Sequence, residues 1–393
     1  MLNFYYIYGA VWGIVLFLYL LGWSSLNGSL SPVLLVFFSV TIFLSAALGK
    51  RRESCFVYSG NKLPKLPTWA VLLFLVCGAI GFMQLGYIPA LQFIDSTYDY
   101  QQLLDREPSI FMTVAVVGSV FGCGYQFSRF IENREAADMA KLIPLALYLV
   151  MFSSRGPLYI CGVTCFIIVC SKRKRTLRFA DYLITAILII FALWLFGVLG
   201  NIRVGCNWND SSYIYLLGGF TGLWPEYIPH EFCWAYSYLT SPLANLNYSL
   251  SFTVQIDSLN FLYDFLPMML AKRLPLYVTP AAPLQVTYFN VSSVWSNYFL
   301  HLDLPGLFIG YLLQIALLET WLLAARGTCA ENLMKAYCSE CVIFSFFANS
   351  FVYPTMAYPA IMLGCACIFW KCSSRKRALS YLSARDVKPL LED

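Results

Sequence analysis

Arg155 and Arg203 are the residues of this chain best suited to hold an anion. Each stands at the end of an apolar run, Arg155 in Ser153-Ser154-Arg155-Gly156 and Arg203 in Gly200-Asn201-Ile202-Arg203. A guanidinium stays charged, and its planar fork grips phosphate oxygens through paired N–H bonds. Two such groups near the outer headgroups of a membrane would suit a lipid pyrophosphate. Gly156 and Gly200 beside them allow a close backbone approach or a helix cap. The plainer alternative is that each arginine snorkels to lipid phosphates or caps helix carbonyls. Cations are sparse on the outer side of membrane proteins, so two of them bracketing the same helix pair favour a site.

Proton transfer needs a second set of residues. His230 stands in Trp224-Pro225-Glu226-Tyr227-Ile228-Pro229-His230-Glu231, flanked by the carboxylates Glu226 and Glu231. A histidine in that setting can act as a general base near neutral pH, and it can equally be a solvated loop residue. His301 lies in Tyr298-Phe299-Leu300-His301-Leu302-Asp303-Leu304-Pro305-Gly306, where it reads as an interfacial residue at a helix start. Asp303 is a further candidate catalytic carboxylate, with helix N-capping ahead of Pro305 as its competing role. Arg273, next to Lys272, joins Arg155 and Arg203 as a candidate for binding pyrophosphate, with lipid headgroups as the alternative ligand. No glycine loop for phosphates, zinc pattern or nucleophile elbow occurs, so neither a metal nor a cofactor is expected. The 14 cysteines fall mostly in apolar runs and read as small packing residues, though Cys206 and Cys233 are placed where they could pair.

The elements that must position these groups are membrane helices. Of the 393 residues, 59% are hydrophobic and 12% charged, and the mean hydropathy is +0.66. Soluble domains hold about 25% charged residues. A span needs roughly 20 apolar residues. Phe4–Leu21, Pro32–Leu48, Thr68–Ile88, Ile110–Phe127, Leu142–Phe152, Pro157–Cys170, Ala180–Leu199, Pro305–Leu323, Cys341–Phe351 and Thr355–Trp370 are the candidates, about ten in all. Met1 to Leu21 has no basic start and no small-residue cleavage site, so it is expected to remain as a helix. Basic clusters at Lys50-Arg51-Arg52, Lys172 to Arg178 and Lys371 to Arg377 mark cytoplasmic loops, and ten spans place them all on one side. Both termini are then cytoplasmic. Residues 1–200 form an N-terminal bundle of about seven helices, 201–304 a large outer loop with short amphipathic helices, 305–371 about three more helices, and 372–393 a cytoplasmic tail. The outer segment Leu91–Ser109 is acidic, through Asp95, Asp99, Asp105 and Glu107. The loop is rich in Tyr and Trp, which suits the headgroup level, and a loop of that length is generally functional. Net charge does not point to nucleic acid, because the basic residues cluster as topology signals.

The run Phe152-Ser153-Ser154-Arg155-Gly156-Pro157-Leu158, the later Leu199-Gly200-Asn201-Ile202-Arg203, the large loop, and the return through Tyr298 to Gly310 together resemble bacterial O-antigen polymerases of the Wzy type. More broadly they resemble oligosaccharide repeat-unit polymerases and O-antigen ligases. The return segment is similar to that family's aromatic-Asp-(Phe/Leu)-Gly-x-x-Gly pattern, here with Gly306, Gly310 and an added Pro305. The resemblance implies an all-α, GT-C-like glycosyltransferase of the bacterial inner membrane. Its substrates would be undecaprenyl-pyrophosphate-linked glycans, joined at the periplasmic face, and a chain-length regulator protein is an expected partner alongside membrane lipids. An O-antigen ligase and a polysaccharide flippase are the alternatives. The flippase fits less well, since charges lie at helix ends and no internal repeat occurs.

Overall fold

Apolar runs of bilayer length become helices here because a backbone in lipid must satisfy its own hydrogen bonds. The computed structural model describes residues 3–52, 62–94, 109–153, 155–172, 179–278 and 282–387. Among the described residues every regular element is helical. In chain order these are α1 (Phe4–Leu20), α2 (Pro32–Arg52), α3 (Thr68–Leu85), α4 (Pro89–Ile94), α5 (Ile110–Asn133), α6 (Ala136–Met151), α7 (Arg155–Lys172) and α8 (Phe179–Arg203). They continue as α9 (Ser212–Leu217), α10 (Phe232–Ser249), α11 (Ser258–Tyr263), α12 (Met268–Ala271), α13 (Val294–Ala325), α14 (Glu331–Phe344) and α15 (Pro354–Val387). Local chemistry sets several ends. Asn3 accepts the Tyr5 N–H to start α1, Ser109 accepts that of Met112 to start α5, and Gly86, left-handed at φ 86°, closes α3.

Among the described residues six helices are long and apolar enough to cross a membrane: α2, α3, α5, α8 from Leu183, α13 and the first part of α15. Phe4–Leu20 and Gly156–Ser171 are shorter apolar helices. The protein is thus an all-helical membrane protein. On α8, Leu183, Ile184, Ile187, Leu188, Ile190 and Phe191 are all exposed, an apolar surface that lipid accommodates and water does not.

The chain falls into two units, the first comprising Met1–Ser54, Lys172–Gln314 and Cys341–Tyr353. Its interior is aromatic. Trp12 stacks on Phe38 at 4.5 Å between centroids, with Phe37 4.9 Å from Trp295. The Trp12 indole N–H donates to Ser345 at 3.2 Å and the Tyr8 hydroxyl to Thr41 at 2.9 Å, whereas the buried Trp295 indole makes no hydrogen bond. The second cluster of this unit gathers Phe220, Trp224, Cys233, Trp234 and Tyr236. The loop expected to hold only short amphipathic pieces therefore contains α10, 18 residues long and buried over most of its length. Polar Ser, Thr and Asn between its aromatics hide that burial from composition. Cys206 and Cys233, placed where they could pair, are both free thiols. Burial pushes the Cys233 thiol up to about 12, so it is an inert packing group.

The second unit comprises Cys55–Ser171, Ile315–Glu340 and Pro354–Asp393. The buried Arg129 on α5 pairs with Asp138 of α6 at 2.9 Å and donates to the Leu63 carbonyl. Lys141 donates to Leu66 O at 2.6 Å, so the mixed charges at 129–141 fasten a chain segment rather than float in a loop. The first short pair stays two helices, α6 and α7, separated by a turn in which Ser153 is left-handed at φ 54°. The second pair is corrected. Residues 341–351 are not one helix: α14 covers Glu331–Phe344, and a turn leads to α15 at Pro354. Leu333, Met334, Tyr337 and Cys338 bury one face of α14. The C-terminal tail continues α15 to Val387. Asp95, Asp99, Asp105, Glu107 and Arg173 to Arg178 lie outside the described residues.

Candidate functional site

The most unusual backbone in the first unit is at Asp303, with φ 56° and ψ −151° inside the span of α13. Such a conformation is rare for a residue with a side chain, costs about 1–3 kcal/mol, and tends to sit at working sites. It breaks α13 into 294–302 and 304–325 and turns the first piece back on the second. In a straight helix, residues eight apart are separated by about 12 Å. Here a Cβ at Gly306 would collide with the Tyr298 carbonyl, and one at Gly310 with the Tyr298 ring. Glycine at both positions leaves room for the fold-back. Asp303 itself is exposed, and its carboxylate accepts the Leu304 N–H at 2.8 Å. That bond is to the next residue and not to the N2 or N3 N–H that a capping side chain takes.

The fold-back places His301 against Asp264, with Nε2 3.4 Å from Oδ2 and both side chains buried. Neither of those two atoms makes a hydrogen bond. Asn297 bonds to the Asp264 side chain, and Asn349 donates to its backbone carbonyl at 3.0 Å. The Asp257 N–H donates to His301 O at 2.8 Å, and Phe265 stacks on Tyr298 at 4.8 Å. The segment from α11 to α12 is thereby clamped on the first piece of α13. Desolvation by this burial pushes the Asp264 carboxyl up to about 7, opposed by the Asn297 hydrogen bond. With Nε2 turned to Asp264, Nδ1 is the imidazole nitrogen left to take a proton. An imidazole facing a buried carboxyl that titrates near neutrality supplies the parts of an acid–base pair.

The other expected residues are elsewhere. Glu226 and His230 are exposed in the turn between α9 and α10, where the His230 ring stacks on Tyr215 at 4.5 Å. Glu231 precedes α10 without a side-chain capping bond, and its carbonyl sits against Gly197. Gly200 faces the Trp234 ring, so the glycine next to Arg203 serves the packing of α8 on α10. Asn201, fully buried, accepts from the Trp234 indole at 2.7 Å and donates to Ser211 at 2.9 Å. Arg203, half-buried, ends α8. Lys272 and Arg273 are exposed after α12. Arg155 begins α7 in the second unit, and its side chain lies outside the described residues. Asp264 was absent from the expected site. Its signal is a lone acid in the apolar run Phe261-Leu262-Tyr263-Asp264-Phe265-Leu266. No metal-binding cluster of His, Cys, Asp or Glu occurs among the described residues. No protein-family model, no curated protein and no solved structure matches this chain.

Proposed function

We propose that this protein is a lipid-linked glycosyltransferase that polymerises undecaprenyl-pyrophosphate-linked oligosaccharide repeat units at the periplasmic face of the inner membrane. The observation that carries this reading is the buried Asp264–His301 contact beside the backbone break at Asp303. In the proposed reaction His301 Nδ1 takes the proton of the acceptor sugar hydroxyl, whose oxygen attacks the anomeric carbon of the donor. The bond from that carbon to the pyrophosphate oxygen breaks, and the lipid pyrophosphate leaves with the electron pair. Asp264, ionised above about pH 7, stabilises the imidazolium that forms. Arg203, with Arg273 as a further candidate, would hold the leaving pyrophosphate, a charge that develops only as the bond breaks. Glu226, Glu231, His230 and Asp303 keep their place as alternative proton acceptors. The donor arrives activated, so the reading requires no nucleotide site and no metal. Ten spans, with α14 standing in for Cys341–Phe351, cytoplasmic termini and an outer position for 201–304 belong to the same proposal.

The test is the surface glycan of a strain lacking the protein. One repeat unit per lipid core in place of a ladder is the expected result, and His301→Ala should reproduce it at wild-type protein level. Core bearing no repeat unit would point to the ligase or flippase, and an unchanged ladder would remove the function.

A further inference from the structure

The stretch from 256 to 278 turns apolar side chains outward. Ile256, Leu259, Leu262, Leu270, Leu276 and Val278 are all exposed, while Asn260, Phe261, Asp264 and Ala271 are buried. The outward display is built into the backbone. Leu276 stands in the left-handed region at φ 64° and is 77% exposed. A bulky residue adopts that conformation only where its surroundings impose it. The buried Asn260 does so here. Its side-chain amide donates to the Leu276 carbonyl at 3.1 Å, and its side-chain oxygen accepts the Val278 N–H at 2.9 Å. Asp257 holds Asn260 in turn, accepting its backbone N–H at 3.0 Å and its side-chain amide at 2.7 Å. The Tyr263 hydroxyl donates to the Pro275 carbonyl at 3.3 Å. The turn at 275–278 is thus pinned to α11.

A leucine serving the core would face inward. Leu276 faces outward on a costly backbone, so the arrangement serves what lies outside it. Level and charge identify that neighbour. The Asp257 N–H donates to His301 O at 2.8 Å and the Met268 N–H to Val352 O at 3.2 Å, which fastens the stretch beside the break in α13. From 304 the second piece of α13 runs on as the apolar part of a span, so the break lies at the headgroup level. The only charged residues from 250 to 290 are Asp257, Asp264, Lys272 and Arg273. Asp264 is buried and Asp257 is engaged by Asn260. Lys272 and Arg273 are exposed, and neither forms an ion pair among the described residues. An apolar face with Lys and Arg beside it is the make-up of an element lying in the boundary of an anionic membrane. A second copy meeting this face with its own would set cations against cations.

We propose that 256–278 is a membrane anchor that docks on anionic phospholipid, with Leu276 and Val278 sunk to the headgroup–acyl boundary and Lys272 and Arg273 on the lipid phosphates. The ligands open to Arg273 are all lipid-borne phosphates, and this assigns it those of the bilayer rather than the pyrophosphate of a substrate. The inference rests on the membrane character of the protein and not on glycosyl transfer, so either can fail without the other.

The experiment is hydroxyl-radical footprinting of the full-length protein in vesicles of phosphatidylcholine alone or of equal parts phosphatidylcholine and phosphatidylglycerol. Oxidation is mapped by peptide mass spectrometry, first with no undecaprenyl lipid present. The expected result is oxidation of Leu276 and Val278 about tenfold slower in the anionic vesicles, since each of two cations favours an anionic surface several-fold. Lys272→Glu combined with Arg273→Glu should bring the rate back to that in phosphatidylcholine. Should that variant fail to insert, the wild-type comparison between the two lipids decides alone. Equal oxidation in the two vesicles would overturn the proposal, whether the residues are attacked freely or shielded by another protein surface. So would protection that arises only when undecaprenyl pyrophosphate is added, which would give Arg273 to the substrate.

Discussion

At the scale of single residues, geometry redistributes the chemistry among groups of the same type. His230 has two carboxylates beside it in sequence, yet its ring is exposed against Tyr215. His301 has Asp303 two residues on, yet the carboxylate that meets its ring is Asp264, 37 positions earlier in the chain. Asp264 also gives a pH dependence. Its folded value of about 7 lies above its ordinary 3.8, so its stabilising contribution is fully present below about pH 4 and is lost as pH rises through 7. The thermal midpoint in detergent should fall over that window, by a free energy of at most about 4 kcal/mol, and Asp264→Asn should flatten the slope. A slope unchanged in the Asn variant would mean that the carboxyl titrates elsewhere. The arginines are tested by Lys substitution. Arg203→Lys keeps the charge and loses the fork, so a bidentate grip predicts about a ten- to hundredfold loss of polymerisation at normal insertion. Full activity in Arg203→Lys would reduce that residue to snorkelling.

At the scale of elements, α13 is the decisive one. A long apolar helix by composition, it is two pieces by backbone, and Tyr298 lies where ordinary side chains at 306 and 310 would be. Gly310→Ala should destabilise the protein by about 1–3 kcal/mol, because a methyl group must displace the stacked Tyr298 ring. Gly162→Ala on α7 has open space around its Cβ and should be neutral or stabilising by up to about 1 kcal/mol, as expected for Gly to Ala in a helix. Comparable thermal midpoints for the two variants would show that the fold-back tolerates a side chain. α14 teaches the complementary lesson. It carries Glu331, Lys335 and Glu340 within 14 residues, yet Lys335 and Glu331 pair at 2.8 Å one turn apart and Glu340 is buried.

At the scale of the whole molecule, orientation follows from charge and span count. Reporter fusions after Arg178 and after Pro283 should lie on opposite sides of the membrane if ten spans hold, since one crossing separates them. The same side for both would sink the proposed topology and the periplasmic placement of 201–304 with it. The two units interleave along the chain, each assembled from three separate stretches. Truncation at residue 200 or 304 would therefore cut through a unit, and neither position marks an independent piece.

The amino-acid order alone determined that this is an all-helical membrane protein, because apolar runs of bilayer length leave the backbone no other solution. It also marked the turn between α6 and α7, through Ser153 to Gly156, and the return segment with Gly306 and Gly310. Those features are local: a breaker, a run length and a glycine spacing are visible without neighbours. Tertiary structure alone decided that α10 is buried, that Cys206 and Cys233 stay apart, and that Asp264 meets His301. Each depends on contacts between residues far apart in the chain. A carboxyl's environment is set by what packs on it, here Asn297, Asn349 and the fold-back of α13, and nothing in the run from Phe261 to Leu266 states which of those will arrive.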